Sequence, residues 1–432
     1  MKLFRDLLLK IRNSEILKNL LYLLSSNGLA HLFPFIVYPF ISRLYSTDAF
    51  GQLAIILSIH SLLVVLSTGK YDQAIAIPEN NDQAIHLFNI GMRIALGVSL
   101  LILPVVFLVK QIGASFSFGS QVNNWFFVLT ITVFSTACIQ LINGWSLRHK
   151  MFAIIAGSTL VLSMLTSVLK LAFGFLNVHD GLLIAFVTAQ VLTLIFTSFR
   201  VRRSQNPPVF ETTTGVARET ARVYSGFPKF YMINALLNTF SSNLPIYMFA
   251  FYFSNDIIGQ FSIALTLLFT PVNAFCNSLN QVLMKKTIEL KHAGSPVWPF
   301  IREFVKKILV FSVLPGAVLV AIIPWIIGIY LGDQWTATGR FCQFLIPYAI
   351  GALMSGSLAF VPNVFGRQLA SLLIYLVYLA LRIAALSAGI IMDNVYFSVG
   401  LYALISLLAV SYQVFWYRNL IIKGDKQPDP KH

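Results

Sequence analysis

The residues with chemistry to offer lie inside long apolar runs. Asn27, His31, Pro34 and Tyr38 step by 4, 3 and 4 through the first run, so they share one helical face. Asn234, Asn238, Ser241 and Pro245 repeat those steps at an offset of 207. Thr266, Thr270, Asn273, Asn277 and Asn280 step by 4, 3, 4 and 3. Ser58, Ser61, Thr68 and Asp72 mark a similar face earlier in the chain. Amides and hydroxyls at these spacings can hydrogen-bond, but they supply neither a base nor a nucleophile. Two uses stay open: glue between packed helices, or the lining of a hydrated cavity. Their duplication on corresponding helices favours the cavity.

The charges inside or beside the runs point to anion binding. Arg382 sits about nine residues, or ~13 Å, from the nearer end of its run, deep enough to require an anionic partner or substrate. Lys170 is about six residues from the outer end of its run, where a lysine can also snorkel to water. Lys70 and Asp72 flank Tyr71 at the inner mouth of the second run, and Arg43 lies at the outer end of the first. Arg382, Lys170, Lys70 and Arg43 are therefore the candidate cavity cations. Asp72 and His60, with His31, are the candidates for ion coupling, since a histidine can titrate near neutral pH; a hydrogen-bonded structural role is the competing reading for both histidines.

Enzyme chemistry is not indicated. The sequence has no G-x-x-x-x-G-K-[ST], H-E-x-x-H or G-x-S-x-G pattern, and its 16 Asp and Glu are scattered. Cys138, Cys276 and Cys342 fall in or beside apolar runs as packing residues. No catalytic residue, metal site or cofactor is expected.

The elements that must position these residues are membrane helices. The 432 residues are 57% hydrophobic and 11% charged, with a mean hydropathy of +0.76. Many apolar stretches exceed the ~20 residues needed to cross a bilayer. We read twelve spans, roughly 20–42, 49–69, 87–109, 125–147, 152–175, 181–199, 230–253, 257–281, 305–330, 341–363, 368–391 and 396–418. The start, Met1 to Lys18, is basic and amphipathic without a small-residue cleavage site, so no removed signal is expected. With a cytoplasmic N-terminus, 26 of the 31 Lys and Arg fall on the inner side. That bias sets the orientation, with both termini cytoplasmic. It also accounts for the net charge of +15 through topology and anionic membrane lipid, without nucleic acid.

The spans form two copies of one unit. Ser46, Asp48, Gly51 and Gln52 match Ser254, Asp256, Gly259 and Gln260 at a constant offset of 208. Six spans separate the copies, so both have the same orientation. The expected fold is all-α and polytopic, with about twelve transmembrane helices in two parallel six-helix repeats around a central cavity. The expected organisation is an N-terminal lobe over 1–199, a cytoplasmic linker over 200–229, a C-terminal lobe over 230–420 and a cytoplasmic tail over 421–432.

Three features resemble the bacterial polysaccharide flippases of the multidrug/oligosaccharidyl-lipid/polysaccharide exporter superfamily. The first is Pro39-Phe-Ile-Ser-Arg-Leu-Tyr-Ser leading into Phe50-Gly-Gln52. The second is Lys70-Tyr-Asp-Gln-Ala-Ile-Ala-Ile-Pro78 with its acidic-polar turn Glu79-Asn-Asn-Asp82. The third is the two-times-six layout. The resemblance implies a transporter of the bacterial inner membrane that moves undecaprenyl-diphosphate-linked oligosaccharide, for O-antigen or capsule, to the outer leaflet. It implies lipid-linked oligosaccharide and membrane lipids as partners, along with other polysaccharide assembly proteins. A cation-coupled small-molecule exporter of the same superfamily and a membrane polysaccharide polymerase are the alternatives. The short outer loops count against the polymerase.

Overall fold

A computed structural model of the chain describes residues 30, 32–113, 124–208 and 214–426. Among them there are helices and turns and no strand. Contacts divide the chain into two compact units, Met1–Tyr247 and Met248–His432.

In the first unit, α1 (Leu32–Leu44) and α2 (Thr47–Ser67) are followed by the single turn α3 (Tyr71–Ala74). Then come α4 (Asn81–Gly113), α5 (Val128–Arg148), α6 (Phe152–Phe175) and α7 (Gly181–Arg202). A short helix α8 (Thr214–Val223) precedes a π-helical turn at Phe227–Tyr231, which runs into α9 (Met232–Tyr252), and the boundary between the units falls within α9 after Tyr247. The second unit holds α10 (Asn255–His292), α11 (Trp298–Leu331), α12 (Thr336–Ser357), the short α13 (Val361–Val364), α14 (Gln368–Ile391) and α15 (Val395–Lys426).

Among the described residues, ten stretches are long and apolar enough to cross a membrane. They carry the predicted spans two to six and eight to twelve. The first predicted span is described only from its second half. The seventh, α9, has the length but is too polar to qualify, because Asn234, Asn238, Ser241, Ser242 and Asn243 interrupt it. Interior prolines at Pro104, Pro271, Pro324 and Pro347 are carried without breaking their helices. Neighbouring helices in lipid can satisfy the freed backbone groups.

The repeat is visible in local geometry and in packing. Ser46 occupies the N-cap of α2 with φ −69° and ψ 157°, its hydroxyl accepting from the Ala49 amide, and Ser254 occupies the N-cap of α10 with φ −68° and ψ 156° but without that bond. Each is followed two residues later by an aspartate in the first turn, Asp48 or Asp256, where the helix dipole favours negative charge. In the first unit α5 packs against α2, α4 and α7, while α6 packs on α7. In the second, α12 packs against α10, α11 and α15, while α14 packs on α15. Each partner in one unit is the six-span equivalent of its partner in the other.

Several spans are longer than their apolar cores. The eighth, expected over 257–281, continues to His292, and the ninth starts at Trp298 rather than near 305. The last, expected to end near 418, runs to Lys426, so the tail anticipated from 421 is helical up to that point. Ile421 is fully buried there. The segment between spans six and seven is also structured. Its helix α8 packs on α4, and Tyr71 donates its hydroxyl to the Ala221 carbonyl at 3.4 Å. Asn27 and His31 lie outside the described residues.

Candidate functional site

The polar face of α10 is the clearest feature. Asn273 and Asn277 are exposed, and the Asn280 amide donates to the Gly356 carbonyl at 3.2 Å. Two residues further round, Phe275 is 63% exposed, and Val282 one helical repeat later is 66% exposed. Two positions turn the helix by about 200°, so α10 presents an apolar exposed face and a polar exposed face on opposite sides. The apolar face suits hydrocarbon. The polar face needs water or a hydrogen-bonding ligand, because an unpaired amide in lipid is costly. In the first unit Asn234 and Asn238 are likewise exposed on α9, whereas Asn243 turns back to donate to Ser61 Oγ at 3.2 Å.

The candidate cations do not converge. Lys70 follows α2 in the left-handed conformation (φ 60°), directly after Gly69 (φ 55°). A non-glycine residue there costs about 1–2 kcal/mol, so the turn is held by its surroundings. Asp72 accepts from Thr68 Oγ1 at 2.6 Å. Among the described residues it forms no ion pair with Lys70, and the half-buried Lys70 ammonium has no polar partner. Arg148, one of the 26 Lys and Arg that the sequence places on the inner side, braces this motif. Its guanidinium donates to the Pro78 carbonyl, to the Glu79 carbonyl at 3.2 Å and to Asn81 Oδ1 at 3.3 Å. Nothing in the sequence separates such a bracing arginine from the others.

Lys170 belongs to the opposite end of this unit. Its backbone carbonyl accepts from the Tyr45 hydroxyl at 2.8 Å, and Tyr45 precedes α2 whereas Lys70 follows it. The 21 residues of α2 separate the two ends by roughly 30 Å. The Lys170 ammonium is half-buried and has no polar partner among the described residues. Arg43 is exposed at the same end and donates to the Pro39 carbonyl of its own helix.

Arg382 is 8% exposed in the second unit. Its Nε donates to Ser406 Oγ at 3.1 Å and its Nη2 to the Tyr348 hydroxyl at 3.0 Å. Its guanidinium carbon is 5.6 Å from the ring centres of both Tyr348 and Tyr402. Hydroxyls and aromatic faces thus compensate a buried cation. In this conformation its fork is occupied, and it ties α12, α14 and α15 together. His60 is buried, with Nε2 3.2 Å from Thr136 Oγ1 and its ring edge-on to Phe186. Among the described residues, no three His, Cys, Asp or Glu side chains group as metal ligands.

Comparison with known proteins bears on the whole of this arrangement. A family profile described as polysaccharide biosynthesis protein matches residues 40–339. Among solved structures, the lipid II flippase MurJ in an inward closed conformation has a TM-score of 0.68 at 12% identity, over 93% of this chain and 90% of that one. An inward-facing multidrug resistance MATE family transporter of the MOP superfamily has a TM-score of 0.65 at 12% identity, over 94% and 96%. A variant of the Vibrio cholerae MATE transporter VcmN has a TM-score of 0.59 at 15% identity, over 94% and 96%. At these identities the likeness establishes the fold. No curated protein matches in sequence.

Proposed function

The chain belongs to the polysaccharide biosynthesis protein family, and from that membership we propose that it is a flippase for lipid-linked oligosaccharide. The cargo is an undecaprenyl-diphosphate-linked repeat unit of O-antigen or capsule, carried across the bacterial cytoplasmic membrane. The observation that carries this reading is the exposed polar face of Asn273 and Asn277, set opposite an apolar exposed face of the same helix. A glycan needs hydrogen-bonding groups inside an otherwise apolar protein, and Asn234, Asn238, Asn273, Asn277 and Asn280 supply them.

A diphosphate needs cations wherever it leaves water. Lys70 and Lys170, without partners among the described residues, stand at opposite ends of the first unit, with Arg43 beside the second of them. A headgroup crossing the membrane would meet a cation at each end. Arg382 would join only if its bond to Tyr348 opened. The prenyl tail stays in lipid. Movement is by alternating access of the lobes 1–199 and 230–420, with linker, tail and both termini on the cytoplasmic side. The MATE-type neighbours keep a second reading in play, a cation-coupled exporter of small molecules with His60 or Asp72 in the coupling.

A deletion strain in the native background tests the assignment. Flippase function predicts loss of long surface glycan, with the undecaprenyl-linked unit held in the cytoplasmic leaflet. Normal glycan and a normal intermediate would overturn it, and altered drug tolerance in the same strain would favour the exporter.

A further inference from the structure

A cavity of about 500 Å³ lies at the Lys70 end of the first unit, where α6 begins and α7 ends. His149, Arg200, Arg203, Ser204, Gln205 and Asn206 are among its lining residues, and no carboxylate is. Neither arginine forms an ion pair among the described residues. The walls are fixed. The Arg203 guanidinium lies over the Phe199 ring, 4.1 Å from its centre. The His149 ring is 4.4 Å from that of Trp145, and its Nδ1 is 3.0 Å from the Trp145 carbonyl, leaving Nε2 for another partner. Trp145 Nε1 donates to the Asn206 carbonyl at 2.8 Å, pinning the loop that closes the cavity.

The surface leading away from this cavity is apolar. Leu192, Ile195 and Phe199 are exposed along α7, and Arg203 follows at the next helical step. Steps of 3, 4 and 4 place all four on one face. A phosphate at the arginines would therefore have hydrocarbon-facing surface directly below it, which fits an amphiphile better than a free ion. Planar guanidinium forks match phosphate oxygens, and basic pockets between membrane helices attract anionic headgroups. We propose that this cavity is a specific site for an anionic glycerophospholipid, with Arg200 and Arg203 on the phosphate and the acyl chains along Leu192, Ile195 and Phe199. This assignment depends only on the chain spanning a membrane.

The test uses the full chain purified in neutral detergent. Lipid adducts are counted by native mass spectrometry after mixing with phosphatidylglycerol or phosphatidylcholine, and inorganic phosphate is added as a competitor. Wild type should retain phosphatidylglycerol preferentially, and millimolar phosphate should not displace it. An interfacial cation is worth about fivefold in anionic-lipid affinity, so Arg200→Gln with Arg203→Gln should cut retention by more than tenfold. Arg202→Gln, outside the cavity lining, should leave it unchanged. Equal retention by the double variant, or an equal loss with Arg202→Gln, would overturn the site as bulk charge. Displacement by phosphate with no lipid preference would overturn the lipid in favour of a free anion. Detergent melting of the double variant, expected at the wild-type midpoint, separates lost binding from lost folding.

Discussion

The Tyr45 hydroxyl donates to the Lys170 carbonyl at 2.8 Å across 125 residues of chain. The bond fastens the turn between α1 and α2 to α6, and it needs the bare backbone of Gly181, whose added Cβ would come within 2.6 Å of the Tyr45 oxygen. Burial pushes the Tyr45 phenol up to about 12, so it remains a donor across physiological pH. A pKa raised on folding contributes stability that is complete below the unfolded value near 10 and is lost as pH climbs through the folded one. Tyr45→Phe should lower the melting midpoint by a constant amount up to about pH 10, and the gap should narrow above it. Paired melts of the two proteins between pH 7 and 11 check this.

Gly144 of α5 faces the Asp72 carbonyl so closely that a Cβ would overlap it. Gly144→Ala should push α3 away from α5, disturbing Lys70 and Asp72 together. Overpacking of this kind costs about 1–3 kcal/mol. A reduced melting midpoint in detergent, with a lower membrane level in cells, is the expected outcome.

Lys170→Met and Lys70→Met remove charges that have no partner among the described residues. Neither should change stability by more than about 0.5 kcal/mol. Each should cut repeat-unit translocation by roughly tenfold or more, the worth of one charged hydrogen bond to phosphate. Normal surface glycan in both variants at wild-type protein level would remove these cations from the pathway.

Arg382→Ala strands the Tyr348 and Ser406 hydroxyls and opens a void, whereas Ser406→Ala removes one bond. The first should destabilise by about 1–3 kcal/mol or more and the second by about 1 kcal/mol. If glycan loss follows protein level across both variants and Arg382→Lys, the residue is structural. Full protein level with abolished transport in Arg382→Lys would instead place it on the cargo.

Asp425, in the last turn of α15, accepts from the backbone amides of Val297 and Trp298, each at 2.9 Å. It therefore caps α11 from the far end of the unit's sequence. Asp425→Ala should lower stability by about 1–2 kcal/mol, the usual loss for a helix cap, and Asp425→Asn should recover part of it. Truncation before residue 425 should behave as the alanine variant does.

The polar stripes were legible because membrane helices allow little else. An asparagine inside an apolar run must face protein or water, and helical spacing tells which residues share a face. That reasoning marked Asn273, Asn277 and Asn280, though only packing separated the two exposed amides from the one bonded to Gly356. Arg148 and Asp425 were illegible as anchors. Each acts on backbone groups many residues away, and a carbonyl or amide leaves no mark in the side-chain sequence.

The sequence by itself determined the membrane class, ten of the spans and the six-span repeat. These follow from hydrophobic length and from local capping chemistry, which act within a few residues of chain. Only the tertiary structure decided that Lys70 and Lys170, placed by the sequence at opposite ends of their runs, have no polar partner among the described residues and that the Arg382 fork is already occupied. It also decided that Arg200 and Arg203 share a cavity with His149. Those outcomes depend on which helices pack together, and a charge's partner is fixed by distance in space rather than by position along the chain.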